Sequence, residues 1–139
     1  MGIRDLYTTI SEMVVGSVTA RDLDGIKLIV RAEDCPVRLL LPSTTGEGNF
    51  VAIGTLTKTV WGIRDLCLWQ PVNAGTGIEQ CAGDMVAYIE LYAAALRLLR
   101  NPGPAANVSA MSFRLGPVMW GTVNYWAIDV TLEIEEHLA

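Results

Sequence analysis

Between Ile3 and Val14 the apolar residues Ile3, Leu6, Tyr7, Ile10, Met13 and Val14 recur at spacings of three and four, while Arg4, Asp5, Thr8, Ser11 and Glu12 fill the other side. That period places the apolar side chains on one stripe and predicts an amphipathic helix, closed by Gly16. Next come "GIKLIVR" and "CPVRLLLP", two short segments rich in branched residues and bounded by Gly, Asp or Pro, which read as strands. The stretch "STTGEGNF" offers nothing to bury before its last residue and reads as a flexible loop over about 43–50. Strand character returns at Val51, runs through "VAIGTLTKTVWGIRDLCLW" and stops at Pro71.

Thr76 and Glu79 have the spacing of a capping box, in which each side chain satisfies a backbone N–H of the other's turn. A long helix is therefore predicted to start near Gly77 and to end near Arg100, where "NPGPAAN" cannot continue it. Its expected core stripe is Ile78, Cys81, Met85, Ile89, Tyr92, Leu96 and Leu99, with Leu91, Ala95 and Leu98 off that stripe. "VSAMSFRLGPVMWG" and "TVNYWAIDVTLEIEE" read as two closing strands joined around Gly121. In the second, Trp126, Ile128, Val130, Leu132 and Ile134 alternate with Ala127, Asp129, Thr131, Glu133 and Glu135, so one face is buried and one wet. The elements add up to one α+β domain over 1–139, a twisted, mostly antiparallel sheet with a long helix and a shorter N-terminal helix packed on it. The string GIRDL occurs at Gly2–Leu6 on a helix and at Gly62–Leu66 on a strand, with unrelated residues after each, and marks no duplication.

Composition narrows the function classes. Hydrophobic residues make up 51% of the chain against 18% charged, which excludes a disordered chain and suggests apolar surface beyond one core. A net charge of −5 and the lack of a basic stripe argue against specific nucleic-acid binding. Three unpaired-looking cysteines, Cys35, Cys67 and Cys81, with no secretory leader imply synthesis in a reducing cytoplasm. The apolar run Met85–Leu99 is interrupted by Glu90 and Arg97 and is too short to span a bilayer, so no membrane partner is expected. "NAGTGIEQ" lacks the third glycine of a dinucleotide loop and the Lys-Ser/Thr pair of a P-loop. His137 is the single histidine, leaving too few ligands for a tetrahedral metal and no base for a cysteine nucleophile. No cofactor, metal or catalytic residue is expected, and the chain does not read as an enzyme.

The stretch "VWGIRDLCLWQPV" points instead to surfaces. On an ideal strand Trp61, Ile63, Asp65, Cys67 and Trp69 share one face, while Val60, Leu66 and Leu68 share the other with Gly62, Arg64 and Gln70. With helices covering one face, the second apolar face must meet another layer or another chain. On the long helix the polar residues Glu79, Glu90, Arg97 and Asn101 form only a narrow stripe. Trp61, Trp69, Leu91, Ala95 and Leu98 are accordingly the candidate subunit-interface residues.

In "LYTTISEMV", in "IRDLCLWQPVNAGTGIEQ" leading into the long helix, and in the closing "GPVMWGTVNYWAIDVTLEIEE", the chain resembles the tail terminator and head-to-tail neck proteins of tailed bacteriophages. The resemblance covers most of the chain. It implies a non-enzymatic virion protein of the neck or tail that forms a homo-oligomeric ring of six, ends the tail tube and docks to the head connector. The partners so implied are the tail tube protein and head-tail connector proteins. The loop residues Ser43, Thr44, Thr45, Gly46, Glu47, Gly48 and Asn49 would then contact the next ring, and Asp129, Glu133 and Glu135 would line a channel that repels DNA phosphate. Two other readings stay open: a different connector ring, adaptor or stopper, and a small α+β domain binding an apolar small molecule among Trp61, Trp69, Trp120 and Trp126.

Overall fold

A computed structural model of the chain describes residues 3–16, 18–21, 35–42, 44–45, 48–49, 52–55, 57–72, 79, 81–99 and 106–137. In chain order they form α1 (Ile3–Glu12), β1 (Thr19–Arg21), β2 (Val37–Pro42), β3 (Thr44–Thr45), β4 (Gly48–Asn49), β5 (Ala52–Gly54), β6 (Lys58–Pro71), α2 (Ala82–Leu99), β7 (Ala106–Trp120) and β8 (Val123–His137). The fold is α+β, as the pattern predicts. The main sheet runs β1-β2-β6-β8-β7, with β5 pairing along β6. All its pairings are antiparallel except β1 with β2.

Both helices lie on one face of this sheet. Leu6, Tyr7 and Ile10 of α1 and Met85, Tyr88, Tyr92 and Leu96 of α2 pack with Leu40, Ile63, Cys67 and the alternate β8 residues Ile128, Val130, Leu132 and Ile134. The period-two reading of β8 thus holds from Ile128 to Ile134, whereas Ala127, expected on the wet face, is buried on the opposite side of the sheet and Trp126 is only partly buried. α1 ends where expected: Met13 N–H donates to the Ile10 carbonyl, and Gly16 takes a left-handed φ of 56° that a side chain would strain. Gly121, with φ 64°, performs the same service in the β7–β8 turn.

Three boundaries differ from the sequence reading. α2 begins at Ala82, not near Gly77; Glu79 sits in a 3₁₀ turn ahead of it, and Thr76, the other half of the expected capping box, lies outside the described residues. The long strand from Val51 is broken in two, because Thr55 N–H donates to the Lys58 carbonyl and turns the chain back into a β5–β6 hairpin. The expected loop over 43–50 contains a two-residue antiparallel ladder, Thr44 with Asn49 and Thr45 with Gly48. The segment "GIKLIVR" lies outside the described residues. The core stripe of α2 also gains Tyr88, which the sequence reading left off it.

The second apolar face needs no partner along its whole length. Val37, Leu39, Leu66, Leu68, Tyr125 and Ala127 form a separate buried cluster there, with Val118 and Trp120 packed against it. Of the two coverings expected for this face, another layer or another chain, the first applies at the Leu66–Leu68 end, where the chain buries it by itself.

The faces of α2 make a direct test. Leu96 is buried in the main core, whereas Leu91 is 51% exposed. Leu96→Asp should destabilise the protein by more than about 4 kcal/mol, since it replaces core packing with a buried, unpaired carboxylate. Leu91→Asp should cost under about 1 kcal/mol. Urea melts followed by circular dichroism check the order; a larger loss for Leu91→Asp would mean that the helix is rotated.

Candidate functional site

The outward side of α2 is a ridge. Gly83, Ala87, Leu91, Ala94 and Leu98 follow one another at spacings of four, four, three and four, and all five are exposed. Helical geometry stacks such positions in one line along the helix. Leu98 is 89% exposed, and Glu90 and Arg97 flank the line on one side. On its other side a groove of about 320 Å³ runs between α2 and the turn after α1, lined by Val15, Val18, Trp69, Asp84, Tyr88 and Leu91 among others. Of the expected interface residues, Leu91 and Leu98 are on this surface. Ala95 is half-buried against the core.

A second apolar surface lies at the end of the β7–β8 hairpin. Met119 is 64% and Val123 40% exposed there, on either side of the Gly121 turn. β6 reaches Pro71, which pairs with Tyr125, and Val72 N–H donates to the Asn124 carbonyl at 2.8 Å, so among the described residues only the turn itself extends past β6.

Trp61 and Trp69, expected at a subunit interface, face the protein's own helices. Trp61 packs on the main core and donates its indole N–H to Glu136 Oε1 at 3.3 Å. Trp69 occupies the irregularity in the β6–β8 register between Leu68 and Gln70, and its ring meets Tyr88 edge-on at 5.7 Å. The four tryptophans do not converge on one pocket. Trp61 and Trp126 pack at different places on the main core and Trp120 against the opposite cluster, while Trp69 lines the groove.

The orientation of the ridge is set beneath it by a buried ionic cluster that sequence reading missed. Arg38 on β2 donates to Asp65 on β6 through Nε at 3.1 Å and Nη2 at 2.6 Å. The same guanidinium donates to the carbonyls of Ile10 at 3.1 Å and Met13 at 2.7 Å, at the C-terminal end of α1, where a cation is favoured. Tyr92 on α2 donates its hydroxyl to Asp65 Oδ2 at 2.6 Å. Both charged side chains are fully buried. Burial opposes the Arg38 charge, but the charge and hydrogen bonds of Asp65 outweigh it and hold the guanidinium above its ordinary value. Burial likewise raises the Tyr92 hydroxyl, with the Asp65 charge adding to it. The sequence signal was present in the form of an Asp on the apolar face of β6 and an Arg within "CPVRLLLP".

The expected acidic face is charge-balanced. Arg64 pairs with Asp129 at 2.9 Å and Lys58 with Glu135 at 3.4 Å, while Glu133 is exposed. Arg114 joins Arg64, Ser112, Asp129 and Thr131 around a polar hollow of about 370 Å³ on the same face. Three carboxylates thus stand against Lys58, Arg64 and Arg114, which removes the electrostatic reason for placing this face along a DNA channel. Of the loop residues expected to contact a partner, Thr44, Thr45, Gly48 and Asn49 lie in the β3–β4 ladder; Ser43, Gly46 and Glu47 lie outside the described residues.

The thiols behave as core atoms. Burial pushes Cys67 up to about 12, with the nearby Asp65 charge adding to it, and burial raises Cys81 as well. Among the described residues, no group of His, Cys, Asp or Glu side chains is placed to hold a metal ion, and no helix is long and apolar enough to cross a membrane. No protein-family model matches the chain, and no curated protein matches it.

Two measurements test the cluster and the thiol. Asp65→Ala leaves Arg38 buried and unpaired and should cost about 3–5 kcal/mol, against under about 1 kcal/mol for Asp129→Ala at the partly exposed pair. Equal losses in urea melts would show that the buried pair does not organise the core. Cys67, ordinarily near 9.0, keeps its proton up to about 12 in the fold, so above pH 9 the unfolded chain loses a proton that the folded chain retains. Stability should therefore fall as pH rises from 8 to 10. That fall should be about 1–2 kcal/mol smaller in Cys67→Ala, and identical pH dependence in the two proteins would contradict the buried thiol.

Proposed function

We propose that this chain is a structural ring subunit of the neck of a tailed-phage virion, ending the tail tube and meeting the head connector. The observation that carries the reading is the apolar ridge of α2, exposed on a helix whose other side fills the core. A closed ring of identical subunits needs two different patches on each copy, one for each neighbour. The α2 ridge and the projecting Met119–Val123 hairpin end supply such a pair. The resemblance in the N-terminal helix, the β6-to-α2 passage and the closing hairpin adds the place in the virion. A neighbouring connector ring would use the same contacts, and the β3–β4 ladder is the segment assigned to the next ring in the stack. The groove beside Leu91, about 320 Å³, is at the small end of the range for small-molecule pockets and opens along the ridge rather than enclosing a ligand, which favours the contact over an apolar small molecule.

Head-to-tail contact has a diagnostic mixing behaviour. Added to purified tail tubes, the chain should give closed rings of about six copies in negative-stain microscopy, the number that the neck resemblance implies. Leu91→Asp and Met119→Asp should each abolish the ring. Mixed together, they should give a one-to-one heterodimer, because each retains the patch that the other lost. Rings that survive both substitutions, or a mixture with no heterodimer, would overturn this arrangement.

A further inference from the structure

We infer that in the free protein the α2 ridge is covered by the ridge of a second copy, the two helices packing antiparallel about a twofold axis. The inference does not depend on the neck assignment.

The ridge is complementary to itself in size and in charge. In an antiparallel pairing centred between Leu91 and Ala94, Leu91 meets Ala94 of the second copy and Leu98 meets its Ala87. Each large side chain lies over a small one, the arrangement that lets two helices approach closely and interdigitate. A Cβ added at Gly83 would meet nothing within 4 Å, so the line stays open to its N-terminal end. The same pairing brings Glu90 opposite Arg97 of the second copy, and Arg97 opposite its Glu90. Both side chains are exposed, and among the described residues neither has an ion-pair partner. A parallel pairing would instead carry Glu90 and Arg97 of the two copies to opposite edges, where neither charge meets its opposite, and set the bulky Leu98 residues against each other, so charge and volume select the antiparallel twofold.

The groove flanking Leu91 lies on the side of the ridge away from Glu90 and Arg97. A helix seated on the ridge would shelter its mouth. This contact is isologous and uses the ridge completely, so it excludes the head-to-tail contact on the same copy.

The test is a charge swap read by sedimentation velocity and light scattering, from about 1 to about 300 μM. The wild-type chain should sediment at about twice its 15.1 kDa. Glu90→Arg and Arg97→Glu, each alone, should weaken dimerisation about tenfold or more. The double variant Glu90→Arg with Arg97→Glu should restore it, because both pairs are rebuilt with reversed sign. A chain carrying Ala87→Cys and Leu98→Cys should form an intermolecular disulfide under oxidation, whereas Leu98→Cys alone should not. Far-UV circular dichroism checks that the variants fold. Wild-type protein that stays monomeric across the range overturns the inference, and so does a dimer indifferent to the single reversals, a double variant no better than either single, or efficient cross-linking through Leu98→Cys alone. Met119→Asp separates this contact from the ring, since it leaves the ridge intact: the dimer should persist in the variant that can no longer form rings.

Discussion

The fold turns on one buried charge pair. Arg38 and Asp65 lie 27 residues apart in sequence, on adjacent strands and fully out of water, where an unpaired guanidinium or carboxylate would be untenable. Their mutual attraction roughly offsets the cost of desolvating them, so the pair contributes little net stability as a unit. Its contribution is geometric. The guanidinium has fixed donor directions, and they are spent on Asp65 and on the Ile10 and Met13 carbonyls, which ties the end of α1 to β2 and β6. Asp65 has acceptor capacity left, and Tyr92 takes it. With Tyr92 pointing at the sheet, helical periodicity turns Gly83, Ala87, Glu90 and Ala94 toward solvent. The ridge is where it is because the cluster allows α2 only one rotation.

Much of this architecture was legible from periodicity, because periodicity reports which side of an element is dry. The α1 stripe, the alternation along β8, the turn at Gly121 and the end of α2 all follow from local pattern. What failed were features settled by tertiary contact. β5 and β6 read as one run, since nothing in "GTLTKTV" announces the Thr55–Lys58 turn. The polar cluster was invisible as a cluster because its members come from four elements. Arg64 and Asp65 show the difficulty well: they are neighbours in sequence but point to opposite faces, and each finds its partner across the sheet, Arg64 in Asp129 and Asp65 in Arg38. Counting charges along the chain could not reveal that the β8 carboxylates are answered by bases on β6.

That neutralisation reshapes where partners can bind. One face of the sheet is sealed by the two helices; the other is sealed at the Leu66–Leu68 end and charge-balanced and wet beyond it. Trp61 and Trp69, the most conspicuous residues of the sequence, are half-buried against their own chain, one bonded to Glu136 and one against Tyr88 at the groove. Apolar surface left over by the fold is found on the back of α2 and at the hairpin end, places that a strand-centred reading of β6 overlooks. An exposed leucine is unremarkable alone. Leu91 and Leu98 carry weight because they stand in line with three small residues and beside two charges with no ion-pair partner among the described residues.

In the proposed assembly, a ridge that satisfies itself would also have a kinetic role. The proposed ring needs ridge and hairpin end on every copy, so a twofold pair joined ridge to ridge would be a dead end for growth until it opens. By mass action, tighter pairing lowers the concentration of assembly-competent monomer and so slows spontaneous ring formation. A template that offers several contacts at once, as the end of a tail tube would, raises the effective concentration of the competing contact and can draw monomers out of the pairs. Glu90 and Arg97 set this balance at the rim of the helix contact. Being exposed, they are screened by salt far more than the leucines beneath them, so ionic strength would shift the proposed pairing without altering the apolar contact proposed for the ring.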